Sequence, residues 1–278
     1  MRAAYGDAPG THNLPSPMTA TMPENTKDGA WTAADLADPH HHAAKATKVR
    51  GMFSAIAGSY DLNNRVHSLW QDQAWRRYAV RTAGVKPGEA VLDMACGTGD
   101  LTELFARTEA GRVVGGDFTP AMLEVARGKQ RTNLAPPAAA KVTYVEADAM
   151  NLAFPDASFD VVSIAFGIRN VSDPARAVRE FARVLKPGGR LVILEFERPR
   201  FPLMRWFYDF YCGWVMPRTA TLISGDKSGA YRYLPRSVGT FMTREELSDL
   251  LARSGFAPVT SRGLSLGICV CYRGVRGG

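Results

Sequence analysis

Apolar residues recur along this chain at two spacings, and the order in which those spacings alternate is the first clue to its fold. Helical spacing opens at Met52, Phe53 and Ile56 and returns at Leu69, Trp75, Tyr78 and Val80. Short apolar runs then take turns with helical stretches. Val91-Leu92-Asp93-Met94 reads as a strand, Leu101 to Arg107 as a helix, Val113-Val114-Gly115-Gly116-Asp117 as a strand and Pro120 to about Lys129 as a helix. Val142 to Val145 and Phe159 to Ala165 add two more strands, the latter almost continuously apolar, as strands buried on both faces are. Ala175 to Leu185 has helical spacing and is stopped by Lys186-Pro187-Gly188-Gly189, and Leu191 to Leu194 follows as a fifth strand. This alternation predicts an α/β fold, a mainly parallel sheet with helices on both faces.

After Glu195 the alternation breaks. Residues 199–240 read as an insertion rich in aromatics and prolines, a lid on the sheet. Thr243-Arg244-Glu245-Glu246 has the form of a capping box and predicts a helix to about Ser254, with Val259 to Ser261 and Gly267 to Tyr272 as two last strands. At the other end, Pro9, Pro15, Pro17, Pro23 and Pro39 interrupt a stretch with few large apolar residues. Residues 1–45 are therefore expected as a flexible extension in front of one domain spanning 46–278. The run His40-His41-His42 reads as an exposed polar stretch, since no Cys or carboxylate cluster accompanies it, and no metal site is expected.

Composition narrows the classes. With 278 residues, 46% hydrophobic and 22% charged, the chain has ordinary soluble make-up and is long enough for a sizeable core. No apolar run approaches the roughly 20 residues of a spanning helix, and Met1 to Met22 lacks the apolar region of a secretory signal. Cys96, Cys212, Cys269 and Cys271 have neither disulfide-scaffold nor zinc spacing, which suits a reducing cytoplasm. The net charge of +7 favours an acidic surface without choosing one, because Lys and Arg are scattered rather than clustered.

The candidate chemistry gathers at strand ends. Asp93-Met94-Ala95-Cys96-Gly97-Thr98-Gly99-Asp100 closes the first strand, and Gly97 and Gly99 let its backbone turn tightly against a ligand. Asp117 ends the second strand, 20 residues after Gly97, where it could take ribose hydroxyls. Dinucleotide enzymes share that much, but Thr102 stands where their third glycine would be. Asp93 and Asp100 beside the turn would repel a pyrophosphate and suit a cationic sulfonium ligand. Asp148, after the third strand, could accept from an adenine amino group. Three acidic strand ends, Asp93, Asp117 and Asp148, on one edge of one sheet resemble the class I methyltransferases, whose fold is Rossmann-like.

A narrower resemblance rests on longer segments. Phe53 through Tyr60-Asp61-Leu62-Asn63-Asn64, the turn from Asp93 to Gly99, Phe166-Gly167-Ile168-Arg169-Asn170-Val171, Leu194-Glu195-Phe196 and Tyr231-Arg232-Tyr233-Leu234 are similar to the ubiquinone/menaquinone biosynthesis C-methyltransferase family. The resemblance implies a seven-stranded sheet of order 3-2-1-4-5-7-6 with an antiparallel seventh strand. It implies S-adenosyl-L-methionine as cofactor, held by Asp93, Gly97, Thr98, Gly99, Asp117 with Phe118 beside it, and Asp148 with Ala149 at the adenine. Ala165 belongs to this set too, although relatives carry Ser there, so one hydrogen bond of roughly 0.5–1.5 kcal/mol is absent.

The implied reaction is methylation of a ring carbon in a polyprenylated hydroquinone, with demethylmenaquinol ahead of the ubiquinone precursor. Arg169 is then expected to stabilise a developing phenolate, Asn170 to orient a ring oxygen, and Tyr60 to complete the wall or hydrogen-bond the cofactor. Asp61 and Asn64 are read first as helix caps. The aromatics between residues 201 and 216 are read either as core packing or as a greasy face toward a prenyl tail or bilayer surface. A cytoplasmic enzyme at the inner face of the membrane is expected; no nucleic-acid partner is, and a homodimer is compatible. A basic RNA methyltransferase and a non-catalytic cofactor-binding scaffold stay open at this point.

Overall fold

The computed structural model describes residues 31–32, 34–40, 42–224 and 228–278. In chain order its helices are α1 (Lys45–Ile56), α2 (Tyr60–His67), α3 (Gln71–Ala83), α4 (Asp100–Ala106), α5 (Pro120–Asn133), the short α6 (Pro136–Ala139) and α7 (Pro174–Val184). They continue with α8 (Pro202–Phe210), α9 (Met216–Ser224), α10 (Ala230–Gly239) and α11 (Arg244–Arg253). The strands are β1 (Ala90–Met94), β2 (Arg112–Asp117), β3 (Val142–Glu146), β4 (Phe159–Ala165), β5 (Leu185–Phe196), β6 (Phe256–Leu264) and β7 (Cys269–Arg276). They form one seven-stranded sheet of order β3-β2-β1-β4-β5-β7-β6. Pairing is parallel from β3 to β5, and β7 runs antiparallel to both β5 and β6.

Strand alternation sends successive side chains to opposite faces, so the sheet carries two apolar layers. Val91, Val161 and Val192 pack with Trp75, Phe105 and Leu101 on one face, while Leu92, Val162 and Ile193 pack with Phe181, Val184 and Leu251 on the other. Both faces being covered accounts for the near-continuous apolar run of β4. A third cluster lies outside the sheet, where Met52 and Ile56 of α1, Met122 of α5 and Tyr231 and Tyr233 of α10 meet Trp31.

Three expectations change. The turn Lys186-Pro187-Gly188-Gly189 does stop α7, but it is taken into an irregular start of β5, with Gly188 at φ +75° and a register shift opposite β4. The insertion is helical: α8, a π-helical turn over Tyr211–Val215, α9 and α10 account for most of it. Pro202 sits in the first turn of α8, where a missing N–H is harmless, whereas Pro235 lies inside α10. Part of the segment expected as a flexible extension packs against the domain. Residues 1–30 lie outside the described residues, whereas Trp31 and Lys45 are buried and His40 is half-buried, its Nε2 bonded to Ser237 O at 2.9 Å. His42 pairs with Asp35, so the described histidines are spent on packing; His41 lies outside the described residues.

Candidate active site

The parallel part of the sheet reverses its order between β1 and β4, the place where open α/β sheets leave a crevice at their carboxyl ends. The loops after β1, β2, β3 and β4 surround a cavity of about 830 Å³, counted out to its mouth. Two non-glycine residues in its wall, Ala95 and Phe166, hold positive φ of 49° and 58°. Such left-handed backbone at non-glycine residues stores strain and collects at ligand sites.

Eight of the residues expected from the sequence line this cavity: Tyr60, Gly97, Asp117, Phe118, Asp148, Ala149, Ala165 and Asn170. The Asp117 carboxylate is pinned by its own loop, accepting from Gly97 N and from Thr119 N, each at 2.8 Å. Burial raises its pKa, opposed by these N–H groups. Asp148 accepts from Met150 N at 2.8 Å and so fixes the loop after β3. Gly97 holds φ +56°, left-handed backbone that glycine adopts without strain. Tyr60 stands at the start of α2 with its ring edge-on to Phe53, 5.9 Å between centroids, and burial raises its phenol.

Asp93, Thr98, Gly99 and Arg169 are not in the cavity wall. Asp93 lies beneath the turn, 1% exposed, accepting from Thr102 Oγ1 at 2.6 Å and Ser163 Oγ at 2.7 Å. It staples β1, α4 and β4 together, and Thr102 in the place of a third glycine is the donor that makes this staple. Burial raises the Asp93 carboxyl to about 6. An acid whose folded pKa lies above its unfolded value stabilises the fold below the unfolded value and loses that contribution as pH rises through the folded one. Stability should therefore fall by about 3 kcal/mol from this group between pH 4 and 7. Asp93→Asn should lack that part of the slope in denaturant titrations across this range; an unchanged slope would assign it to other groups.

Thr98 turns away from the cavity and donates to Asp61 Oδ1 at 2.5 Å. Lys129 of α5 reaches Asp61 at 2.6 Å and Asp100 at 2.5 Å, and Arg65 pairs with both Asp72 and Asp100. Although burial pushes the Asp100 carboxyl up, Arg76 and Lys129 hold it at about 2. Asp61 is thus a tie between α2 and the glycine turn, not a cap: no side chain caps the N-terminus of α2. Lys129 and Arg65 carry no motif and were not legible as part of this arrangement.

Arg169 corrects an expectation most sharply. It points inward, 2% exposed, with Nη1 2.5 Å from Glu195 Oε1 and 2.8 Å from Phe166 O, and with Nε 3.3 Å from Ser237 Oγ. A guanidinium leaving water follows the buried carboxylate at the end of the neighbouring strand. Asn170, next in sequence, faces the cavity instead.

A model of the ubiE/COQ5 methyltransferase family matches residues 41–276. The chain belongs to that family. The ubiquinone/menaquinone biosynthesis C-methyltransferase UbiE of Ectopseudomonas mendocina (strain ymp) is 43% identical over 234 residues, covering 84% of this chain and 90% of that protein. That of Edwardsiella ictaluri (strain 93-146) is 39% identical over 261 residues, covering 93% of this chain and 100% of that protein. Two solved structures share the fold at low identity. A SAM-dependent methyltransferase from Thermotoga maritima has TM-score 0.59 at 21% identity, over 82% of this chain and 99% of that one. Phosphoethanolamine N-methyltransferase 2 of Haemonchus contortus, in complex with S-adenosyl-L-methionine, has TM-score 0.54 at 18% identity, over 75% and 53%.

As a member of the ubiE/COQ5 family the chain is an S-adenosylmethionine-dependent C-methyltransferase. Its residues fit that cofactor: two carboxylates, Asp117 and Asp148, stand at adjacent strand ends, and the methionines Met94, Met122 and Met150 with Phe118 give apolar surface for a flat base. Among the described residues no cluster of His, Cys, Asp and Glu could hold a metal ion, and no helix is long and apolar enough to cross a membrane.

Proposed function

We propose that this chain methylates a ring carbon of a polyprenylated hydroquinone in quinone biosynthesis, with demethylmenaquinol as the acceptor, using Asn170 and Tyr60 at the ring. What supports the reading is that Asn170 and Tyr60 open into the same cavity as Asp117 and Asp148, within a chain about 40% identical to named quinone C-methyltransferases. S-adenosylmethionine supplies a methyl group already activated by its sulfonium charge. The protein's work is to hold the acceptor in line at near-attack distance and to favour negative charge on a ring oxygen.

Gly97, Asp117, Phe118, Asp148, Ala149 and Ala165 hold the donor, and Tyr60 with Phe166 walls the acceptor ring. The Asn170 side-chain amide donates to the ring oxygen as charge develops there. Arg169 acts from behind as a positioning residue, fixing the Phe166 carbonyl and hence the turn that carries Asn170. The outer face of the insertion serves the prenyl tail. Trp206, Phe210 and Trp214 are 61%, 52% and 55% exposed and stack in a row, which supports contact with a bilayer surface over core packing.

The test is an anaerobic assay with short-tailed acceptors of both types held reduced, read by mass spectrometry. Methylated demethylmenaquinol is expected. Product from the benzoquinol alone would reassign the acceptor, and product from neither, with donor bound, would overturn the reading. With a long-tailed acceptor in anionic vesicles, Trp206→Ser with Phe210→Ser should slow turnover about tenfold or more while leaving the soluble acceptor unaffected. Equal rates on vesicles would remove the membrane role.

A further inference from the structure

The segment Tyr231-Arg232-Tyr233-Leu234 lies far along the chain from the strand ends that form the cavity, yet one of its side chains reaches Asn170. Tyr233 is fully buried, and its hydroxyl donates to Asn170 Oδ1 at 3.0 Å. Burial pushes its phenol up to about 12, so it remains a donor across the working pH range. The opposite end of the Asn170 amide is held less firmly. Nδ2 donates to Phe166 O at 3.3 Å, and that carbonyl also takes Arg169 Nη1 at 2.8 Å.

An amide has two N–H donors on one end and an acceptor on the other, and the ends are nearly the same shape. The partner that tells them apart is the Phe166 carbonyl, which can only accept and so takes Nδ2–H; the Tyr233 hydroxyl, able to donate or accept, is left to donate to Oδ1 and completes the hold. Tyr233 binds the oxygen, which leaves the second Nδ2–H for a ring oxygen. With the amide turned over, the same position would present lone pairs to a developing anion.

Tyr233 is itself pinned. Its ring stacks on Trp31 with 4.3 Å between centroids and an interplanar angle of 27°. Trp31 is 2% exposed, its main-chain N–H donates to Ser228 O at 3.0 Å, and its backbone rests against Gly229, where a Cβ would stand 3.1 Å from Trp31 O. The same stretch of chain touches the turn again at Lys45, whose Nζ donates to Arg169 O at 2.9 Å and Val171 O at 2.7 Å.

We infer that Tyr233 is a positioning residue that, together with the Phe166 carbonyl, holds the Asn170 amide in its orientation, and that Trp31, stacked on Tyr233, is itself part of the active site. This rests on the reading of Asn170 as the residue facing the acceptor. A donor fixed before reaction acts on charge at the transition state without reorganising, so its orientation appears in kcat.

The experiment is a double-mutant cycle on the full chain: Asn170→Ala, Tyr233→Phe and both together. It measures kcat at saturating donor and acceptor, donor Kd and thermal midpoint. Asn170→Ala should lose on the order of 100-fold in kcat. Tyr233→Phe should lose about tenfold, with donor Kd and thermal midpoint near wild type, and the pair should be no slower than Asn170→Ala alone, because the two act as one unit. Multiplying losses in the pair, or a Tyr233→Phe rate within about twofold of wild type, would overturn the positioning role. Failure of the site reading is told apart, since it would show in Asn170→Ala by itself. Trp31→Ala should slow turnover and Trp31→Phe, which can still stack, should restore it; loss in both to the same extent at equal stability would overturn the part assigned to Trp31.

Discussion

Replacing Glu195 with Ala should destabilise the fold by about 3–5 kcal/mol. The reason is the charge left behind. Arg169 is 2% exposed and Glu195 likewise 2%, so the guanidinium would remain in a dry site without its counter-charge. Glu195 also accepts from the main-chain N–H of Phe196 at 2.8 Å and of Arg169 at 3.3 Å, and both donors would lose that partner. Replacing the two together, Arg169→Met with Glu195→Leu, should recover most of the stability, since a buried pair is often matched by apolar residues of similar volume. Turnover should not return, because the hold on Phe166 O would be gone. Denaturant titration and kcat on the same samples check both halves. A loss below about 1 kcal/mol in Glu195→Ala would mean that water reaches the pair.

Asp117→Ala should raise the donor Kd by about 100-fold or more. The carboxylate accepts two main-chain N–H groups, Gly97 and Thr119, and on the cavity wall it is the contact proposed for the donor's ribose. Hydrogen bonds to a charged group contribute about 1.5–3 kcal/mol each, and one such loss with a loosened glycine turn reaches the 100-fold range. Asp117→Asn keeps one acceptor and should lose less. Equilibrium binding of S-adenosylhomocysteine measures the effect without turnover. A Kd within about threefold of wild type would place the ribose elsewhere.

The alternating part of the fold was legible because each apolar run ends at a glycine, proline or acid, and β1 to β4 lie where those runs predict. The place of β7 inside the sheet was available only through resemblance, since Gly267 to Tyr272 carries no signal for its partners. The helices at 202–224 were hidden, although Trp206, Phe210 and Trp214 recur at helical spacing, because the density of aromatics and prolines obscures that period and the apolar side of α8 faces outward instead of into the core. At the site, residues whose work is local were readable: Gly97 in its turn, Asp117 at its strand end. Those whose orientation depends on a distant partner were not. Nothing near Arg169 announces Glu195, which lies 26 positions later and adjacent only through the pairing of β4 with β5. Asp93 was read as a ligand because the staple from Thr102 and Ser163 exists only once α4 and β4 are in place. Trp31, an isolated aromatic in a polar stretch, gave no sign that it would stack on Tyr233.

The last of the seven strands in chain order, Cys269–Arg276, is not at the sheet's edge: it sits between β5 and β6. During synthesis, every strand from β1 to β5 leaves the ribosome before the one that must flank β5. Through that interval β5, an apolar strand from Leu191 to Leu194, has an open edge of main-chain N–H and C=O groups. Such an edge templates pairing with other chains, so the growing protein has a heightened tendency to aggregate until β7 arrives. Truncations that remove β7 should accordingly fail as insoluble aggregates rather than as smaller, weaker enzymes.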